Sequence, residues 1–231
     1  MSTREGGVSL GPYASLNLGS AVGDDAAAVA ENRRRFAAAT GAEPVWMTQV
    51  HGTRVIRLGH DQDLVADAAW TDEPGRACTV QVADCLPVLL ARRDGRAVGA
   101  AHAGWRGALD GVVQSAVDTM VSLGADPSDM VAAVGPCIGP QSYEVGLEFL
   151  QRFEADAPGS GVFFRPGAAD DKRLFDLPAF VLERLRAAGV ERREWVECDT
   201  RVDEARFFSN RRAFLRGEND YGRLLSAITL V

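Results

Sequence analysis

Two histidines and a cysteine stand in three widely separated motifs, and a fold for this chain is constrained above all by where it must bring them. The motifs are TQVHG (Thr48 to Gly52), ADC (Ala83 to Cys85) and AHAGWRG (Ala101 to Gly107). Between His51 and Cys85 lie 33 residues, and between Cys85 and His102 lie 16. Zinc fingers and one-helix sites space their ligands a few residues apart, so a shared site here has to be assembled from three different segments. Two imidazoles and one thiolate suit zinc, and three protein ligands leave a fourth tetrahedral position for water or substrate. One cysteine with two histidines also suits copper. The alternative is that each histidine ends a strand with a hydrogen-bonded ring while Cys85 is an inert core thiol. Against that alternative, all three follow apolar, strand-like stretches and the histidines run into glycine, which is how chains deliver side chains to a cleft.

The 231 residues are 46% hydrophobic, enough to bury one core, and predict one catalytic domain over residues 1–231. A net charge of −7 argues against broad binding to nucleic acid or to an anionic membrane surface, while local arginines leave small anionic substrates open. Residues 1–7 lack the apolar core of a signal peptide, and no run approaches the roughly 18 apolar residues of a membrane span, so the expected location is the cytoplasm. There Cys78, Cys85, Cys137 and Cys198 are expected to be free thiols.

Helical and extended patterns alternate without repeats. Asp24 or Asp25 caps a helix to about Ala39, with Gly41 as its stop. Strands are expected at Pro44 to Val50, Thr53 to Leu58, Val80 to Ala91 and Arg96 to His102, the last two paired antiparallel around Asp94-Gly95. A helix over Ala108 to Leu123, a strand over Met130 to Val134 and a helix from about Val145 to Phe153 follow. Asp176 and Pro178 open another helix ended by Gly189, before strands at Glu194 to Glu197 and Leu224 to Val231. The Gly- and Pro-rich stretch from Ala155 to Arg173 reads as a loop. The predicted class is α+β, with a mixed, partly antiparallel sheet flanked by helices.

Other residues are candidates for the chemistry. The turn after His102 opens a helix, where free N–H groups and glycines favour an oxyanion or phosphate and Arg106 adds a charged fork. Equally, Gly104 and Gly107 serve a tight turn while Trp105 packs inward. Gln49, two residues before His51 and on its face of a strand, offers an amide to substrate. Cys137, between two Gly/Pro turns, either lines the pocket or packs the turn. Asp84 alternates with Cys85 along the expected strand and points to the opposite face, while Glu144 is a comparable acid–base candidate. His60 sits in a polar stretch and reads as a surface residue.

Taken in order, TREGGVS, PYASLNLG, VGDD, TQVHG, VADCLPVLL, AAHAGWRG, GPCIG, YEVG, FFSNRR and GRLLSAITL run nearly end to end. They resemble the YfiH-type family, formerly DUF152, whose members have been called laccase-like polyphenol oxidases and purine nucleoside phosphorylases. The resemblance implies that His51, Cys85 and His102 bind the metal, and that adenosine, inosine and methylthioadenosine are substrates of phosphorolysis, with adenosine deamination beside it. It also raises Arg4, in TREGGVS, as an anion-binding candidate. The chain departs from the family pattern at Trp70-Thr71, at Cys198-Asp199-Thr200 and at Asn210. Two other classes stay open at this level, a copper-dependent phenol oxidase and a Cys85/His102 hydrolase that edits cell-wall precursors. A laccase needs a trinuclear copper cluster rich in imidazoles, and this chain has three histidines in all.

Overall fold

The computed structural model describes all 231 residues, Met1–Val231. The chain begins with α1 (Ala26–Thr40), β1 (Glu43–Val45), β2 (Val55–Arg57), β3 (Ala68–Thr71), β4 (Arg76–Val82), β5 (Leu86–Arg92) and β6 (Val98–Ala103). It continues through α2 (Trp105–Asp110), α3 (Val112–Ser122), β7 (Met130–Val134), β8 (Glu144–Gly146), α4 (Leu147–Asp156), β9 (Phe164–Pro166) and β10 (Lys172–Phe175). It ends with α5 (Leu177–Ala187), β11 (Arg192–Trp195), α6 (Asn210–Arg216) and β12 (Leu224–Thr229). No helix is long and apolar enough to cross a membrane.

The six-stranded sheet has the order β11-β7-β5-β6-β3-β2. Its three inner pairings are antiparallel and its two outer ones, β11 with β7 and β3 with β2, are parallel. A second sheet runs β1-β4-β12, and a small antiparallel one runs β8-β10-β9. The class is α+β with mixed pairing, as the residue pattern predicts.

Period-two alternation decides which face of the large sheet meets which layer. Leu86, Val88 and Leu90 of β5, with Ala101 and Ala103 of β6, join the main core with Val112, Val113, Val117 and Met120 of α3 and Phe180, Val181 and Leu185 of α5. The intervening residues Leu89 and Ala100 pack the other way, against Cys78 and Val80 of β4 and Met47, Ile56 and Leu58. His102 is two residues on from Ala100 and shares its face, toward the second sheet. An 11-residue helix such as α3 is marginal in water by itself. Its buried Val and Met side chains, each contributing about 1.5–3 kcal/mol, hold it on the sheet.

Capping follows the sequence: the Asp25 carboxylate accepts from Ala27 N–H, and Gly41 closes α1 at φ 68°. Asp176 likewise accepts from Ala179 N–H at the start of α5. Four expectations need correction. The run Val80 to Ala91 is not one strand, because the chain bends at Ala83 to Cys85, with Asp84 at φ 83°, and passes from the second sheet into the first. The helix expected at Ala108 to Leu123 starts at Trp105 and breaks at Gly111, whose φ of 99° closes α2 and opens α3. In place of a strand to Val50, β1 ends at Val45 and only Thr48 bridges to Val65. The stretch from Ala155 to Arg173 is not a plain loop, since β9 lies within it and pairs with β10.

Candidate metal centre and active-site cavity

The chain passes between the two main sheets four times, and two of those crossings carry a donor each. His51 lies in the crossing from β1 to β2, and Cys85 in the bend from β4 to β5; His102 lies near the end of β6. Both crossings turn through left-handed backbone, His51 itself at φ 59° and Asp84 at φ 83°. The donor atoms of His51, Cys85 and His102 all lie within 4.8 Å of one another. Tetrahedral zinc, with bonds of about 2.0–2.3 Å, holds its ligands roughly 3.5 Å apart, so a small contraction suffices. The two imidazoles meet edge to face with centroids 4.7 Å apart. His102 is buried while His51 and Cys85 are half-buried, which leaves the open side of the trio toward a cavity. The donor set and its convergence fit a metal ion.

Asp67, fully buried just before β3, organises two of the three donors. Its carboxylate accepts from the backbone N–H groups of Val50, His51 and Gly52 at 3.0, 2.9 and 2.8 Å, which holds the left-handed turn at His51. Its Oδ1 also stands 2.8 Å from His102 Nδ1, and its carbonyl accepts from His102 N–H at 2.7 Å. A carboxylate on one imidazole nitrogen fixes the ring so that the other faces the metal position. Burial pulls the His102 imidazole down, but the neighbouring Cys85 sulfur and the Asp67 carboxylate outweigh it and lift the group to about 9. Burial likewise raises the Asp67 carboxyl, yet hydrogen bonds from His102, Gly52 and Val50 hold it below the usual carboxylate range. His51 is lowered by burial and by His102, with Arg106 adding to the effect against Asp67. Sequence reasoning missed Asp67; the signal available was one charged residue inside the apolar run Val65 to Trp70.

The cavity holds about 610 Å³, within the range of small-molecule sites. Its wall includes the three donors, Trp105, Tyr143 and Tyr221 as aromatic faces, and Arg211 and Arg223 as cations. None of the last four was foreseen as a site residue. Gly104 lies directly beneath the donors: a Cβ there would stand 2.5 Å from His51 Nδ1 and 3.2 Å from Cys85 Sγ.

The other expected site residues fare differently. Gln49 reaches the cavity wall, but its amide is spent, donating to Gln81 C=O at 2.9 Å and accepting from Gln81 N–H at 2.7 Å. Cys137 is fully buried in the main core and is not on the wall, where its neighbour Ile138 stands instead. Arg4 is outside the cavity; it donates to Ala14 C=O and Glu204 C=O and stacks on Phe208. Arg106 is exposed beside Trp105, 5.1 Å from its ring, and also off the wall. Asp84 does not alternate with Cys85 along a strand; its buried carboxylate accepts from Thr200 Oγ1 and Arg211 N–H, each at 2.6 Å. Glu144 accepts from Ala168 N–H, away from the wall. His60 is half-exposed beside Glu73, and the four cysteines are unpaired.

Comparison with known proteins agrees with this architecture. A family model described as "Multi-copper polyphenol oxidoreductase laccase" matches residues 1–231. Purine nucleoside phosphorylase YfiH of Escherichia coli is 42% identical over 235 residues, spanning 100% of this chain and 92% of the relative. A purine nucleoside phosphorylase of Pseudomonas aeruginosa is 42% identical over 217 residues, spanning 94% of this chain and 88% of the relative. Among solved structures, a Neisseria meningitidis protein of family DUF152 superposes with a TM-score of 0.88 at 39% identity, covering 99% of this chain and 91% of that one. YlmD from Geobacillus stearothermophilus gives a TM-score of 0.87 at 34% identity, covering 99% and 89%. With the whole length matched in sequence and in fold, the chain belongs to the YfiH-type, laccase-like family.

Proposed function

We propose that this chain is a zinc-dependent purine nucleoside phosphorylase acting on adenosine, inosine and methylthioadenosine, with adenosine deaminase activity, built as one catalytic domain over residues 1–231 and working in the cytoplasm. The observation that carries the reading is the convergence of His51, Cys85 and His102 on the wall of a cavity large enough for a nucleoside. The relatives' names support the reaction class.

In phosphorolysis a phosphate oxygen forms a bond to ribose C1′ while the bond from C1′ to the purine nitrogen breaks. The electron pair leaves with the base, which takes up a proton, and ribose 1-phosphate remains. A metal held by His51, Cys85 and His102 would supply Lewis acidity. Asp67 keeps the His102 ring oriented. Trp105, Tyr143 and Tyr221 offer flat faces to a purine, and Met47, Ile138 and Leu177 line the cavity with apolar surface that excludes water. Copper is the second metal the donor set accepts. A multicopper mechanism lacks ligands here, since His60, the remaining histidine, is half-exposed beside Glu73 and outside the cluster.

Two assays test the reading. Protein purified without added metal is expected to carry about one zinc per chain. Cys85→Ala and His51→Ala should each lose metal and activity while staying folded; stoichiometric zinc in both variants would overturn the shared site. Zinc-loaded protein should release adenine and ribose 1-phosphate from adenosine only when inorganic phosphate is present, and form some inosine. Free ribose as the sole sugar product means hydrolysis instead, and oxygen uptake with a phenol on the same zinc-only sample, without adenine release, means oxidation.

A further inference from the structure

Phosphate is a dianion, and a chain of net charge −7 does not attract it as a whole. Inside the cavity the local balance is reversed. The one carboxylate on its wall, Asp84, already accepts from Thr200 Oγ1 and Arg211 N–H. The two guanidinium groups on the wall, Arg211 and Arg223, form no ion pair within 4 Å. Most arginines of the FFSNRR segment and its surroundings are committed elsewhere. Arg212 donates to the carbonyls of Thr200, Arg201 and Phe207, and Arg216 pairs with Glu204.

Arg211 is held but not consumed. Its backbone N–H is anchored on Asp84, the neighbour of Cys85, and its Nη1 donates to Glu144 C=O at 2.7 Å. The guanidinium lies 5.3 Å from the Tyr143 ring centroid, and its Nε and Nη2 have no protein acceptor. Arg223 is arranged alike: Nη1 donates to Tyr221 C=O at 2.5 Å, the guanidinium lies 3.9 Å over the Tyr221 ring, and Nε and Nη2 are free. Asn210, directly before Arg211, donates to Tyr221 Oη, which ties the two arginine-bearing segments together at the cavity wall. Buried or half-buried donors that are fixed in place yet unpaired are suited to a planar or tetrahedral oxyanion, for which the guanidinium fork is shaped.

We propose that Arg211, with Arg223 beside it, is the subsite for the inorganic phosphate co-substrate, in place of Arg4 and Arg106. The assignment rests on the phosphorylase reading given above. It uses two side chains on the same wall as the metal donors, so phosphate and the ribose it attacks share one enclosure.

The test varies inorganic phosphate at saturating adenosine, and adenosine at saturating phosphate, on zinc-loaded protein. Losing one charge-assisted contact should raise the phosphate KM about 10–100-fold in Arg211→Gln, with zinc content retained and the adenosine KM within about twofold of the parent. Arg211→Lys should recover part of the loss, because an ammonium keeps the charge but not the fork. Arg223→Gln should move the phosphate KM in the same direction. An unchanged phosphate KM in both Arg211 variants, an equal rise in both KM values, or a rise confined to Arg106→Ala would overturn the subsite. Adenine release by the unaltered protein without phosphate would defeat the phosphorylase reading separately. Calorimetric titration with inorganic phosphate would then judge the subsite by itself: heat lost in Arg211→Gln supports it, and equal binding by both proteins overturns it.

Discussion

Asp67 shows how much one buried carboxylate can decide. It satisfies three backbone donors around His51 and the Nδ1 side of His102, all from a fully buried position. Asn at this position keeps one acceptor oxygen but turns an NH₂ group toward N–H donors that then have no partner. Asp67→Asn is therefore expected to weaken zinc binding about 10–100-fold, the usual effect of removing the partner that orients a ligand imidazole. It should also lower stability by about 3–5 kcal/mol, as breaking a buried charged contact does. A chelator competition titration reads the first effect and a denaturant midpoint the second; unchanged zinc affinity would show that Asp67 serves the fold alone. At this scale the three donors were legible in the sequence, because histidine is scarce and the motifs are dense. Asp67 was not, since its role depends on backbone groups 15 to 17 residues away that approach it only after folding.

Between β6 and α2, one glycine separates the strand that carries His102 from the helix that follows it. Gly104 is the N-cap of α2 at φ −63° and ψ 159°, a conformation any residue adopts. The requirement for glycine is thus steric: a methyl group would enter the space of His51 Nδ1 and Cys85 Sγ. Gly104→Ala should keep the fold, with a thermal midpoint within a few degrees of the parent, while activity falls about 100-fold, as a displacement near 1 Å costs at a reacting centre. Circular dichroism melting and the adenosine assay check the two halves; full activity would mean that His51 is free to move aside. The bend at Asp84 teaches the complementary lesson. Val80 to Ala91 reads as one strand because apolar residues dominate it, yet the turn is anchored by Thr200, 116 residues away, and by Arg211, 127 residues away. No window of sequence contains those partners.

Across the whole molecule, the candidate centre lies where the chain passes between two sheets, and its donors belong to two of those crossings and to β6. A metal bound there ties three segments of the native state together and has no comparable site in the unfolded chain. Zinc at about 100 times its dissociation constant should therefore stabilise the fold by about 2.7 kcal/mol, seen as a higher thermal midpoint that chelator reverses and that Cys85→Ala abolishes. A midpoint indifferent to zinc and chelator would mean that the donors do not share an ion. The sequence by itself determined an aspartate cap at Asp24 or Asp25 and one at Asp176, most strands, the α+β class and which three residues to look for at one site, because each rests on local periodicity, local hydrogen bonding or the rarity of a residue type. Only the tertiary structure decided that Asp84 is an anchor, that Cys137 is core, and that Arg211 and Arg223 rather than Arg4 and Arg106 face the cavity. Arginine is abundant in this chain, and which guanidinium keeps free donors depends on the carbonyls and carboxylates that folding brings to all the others.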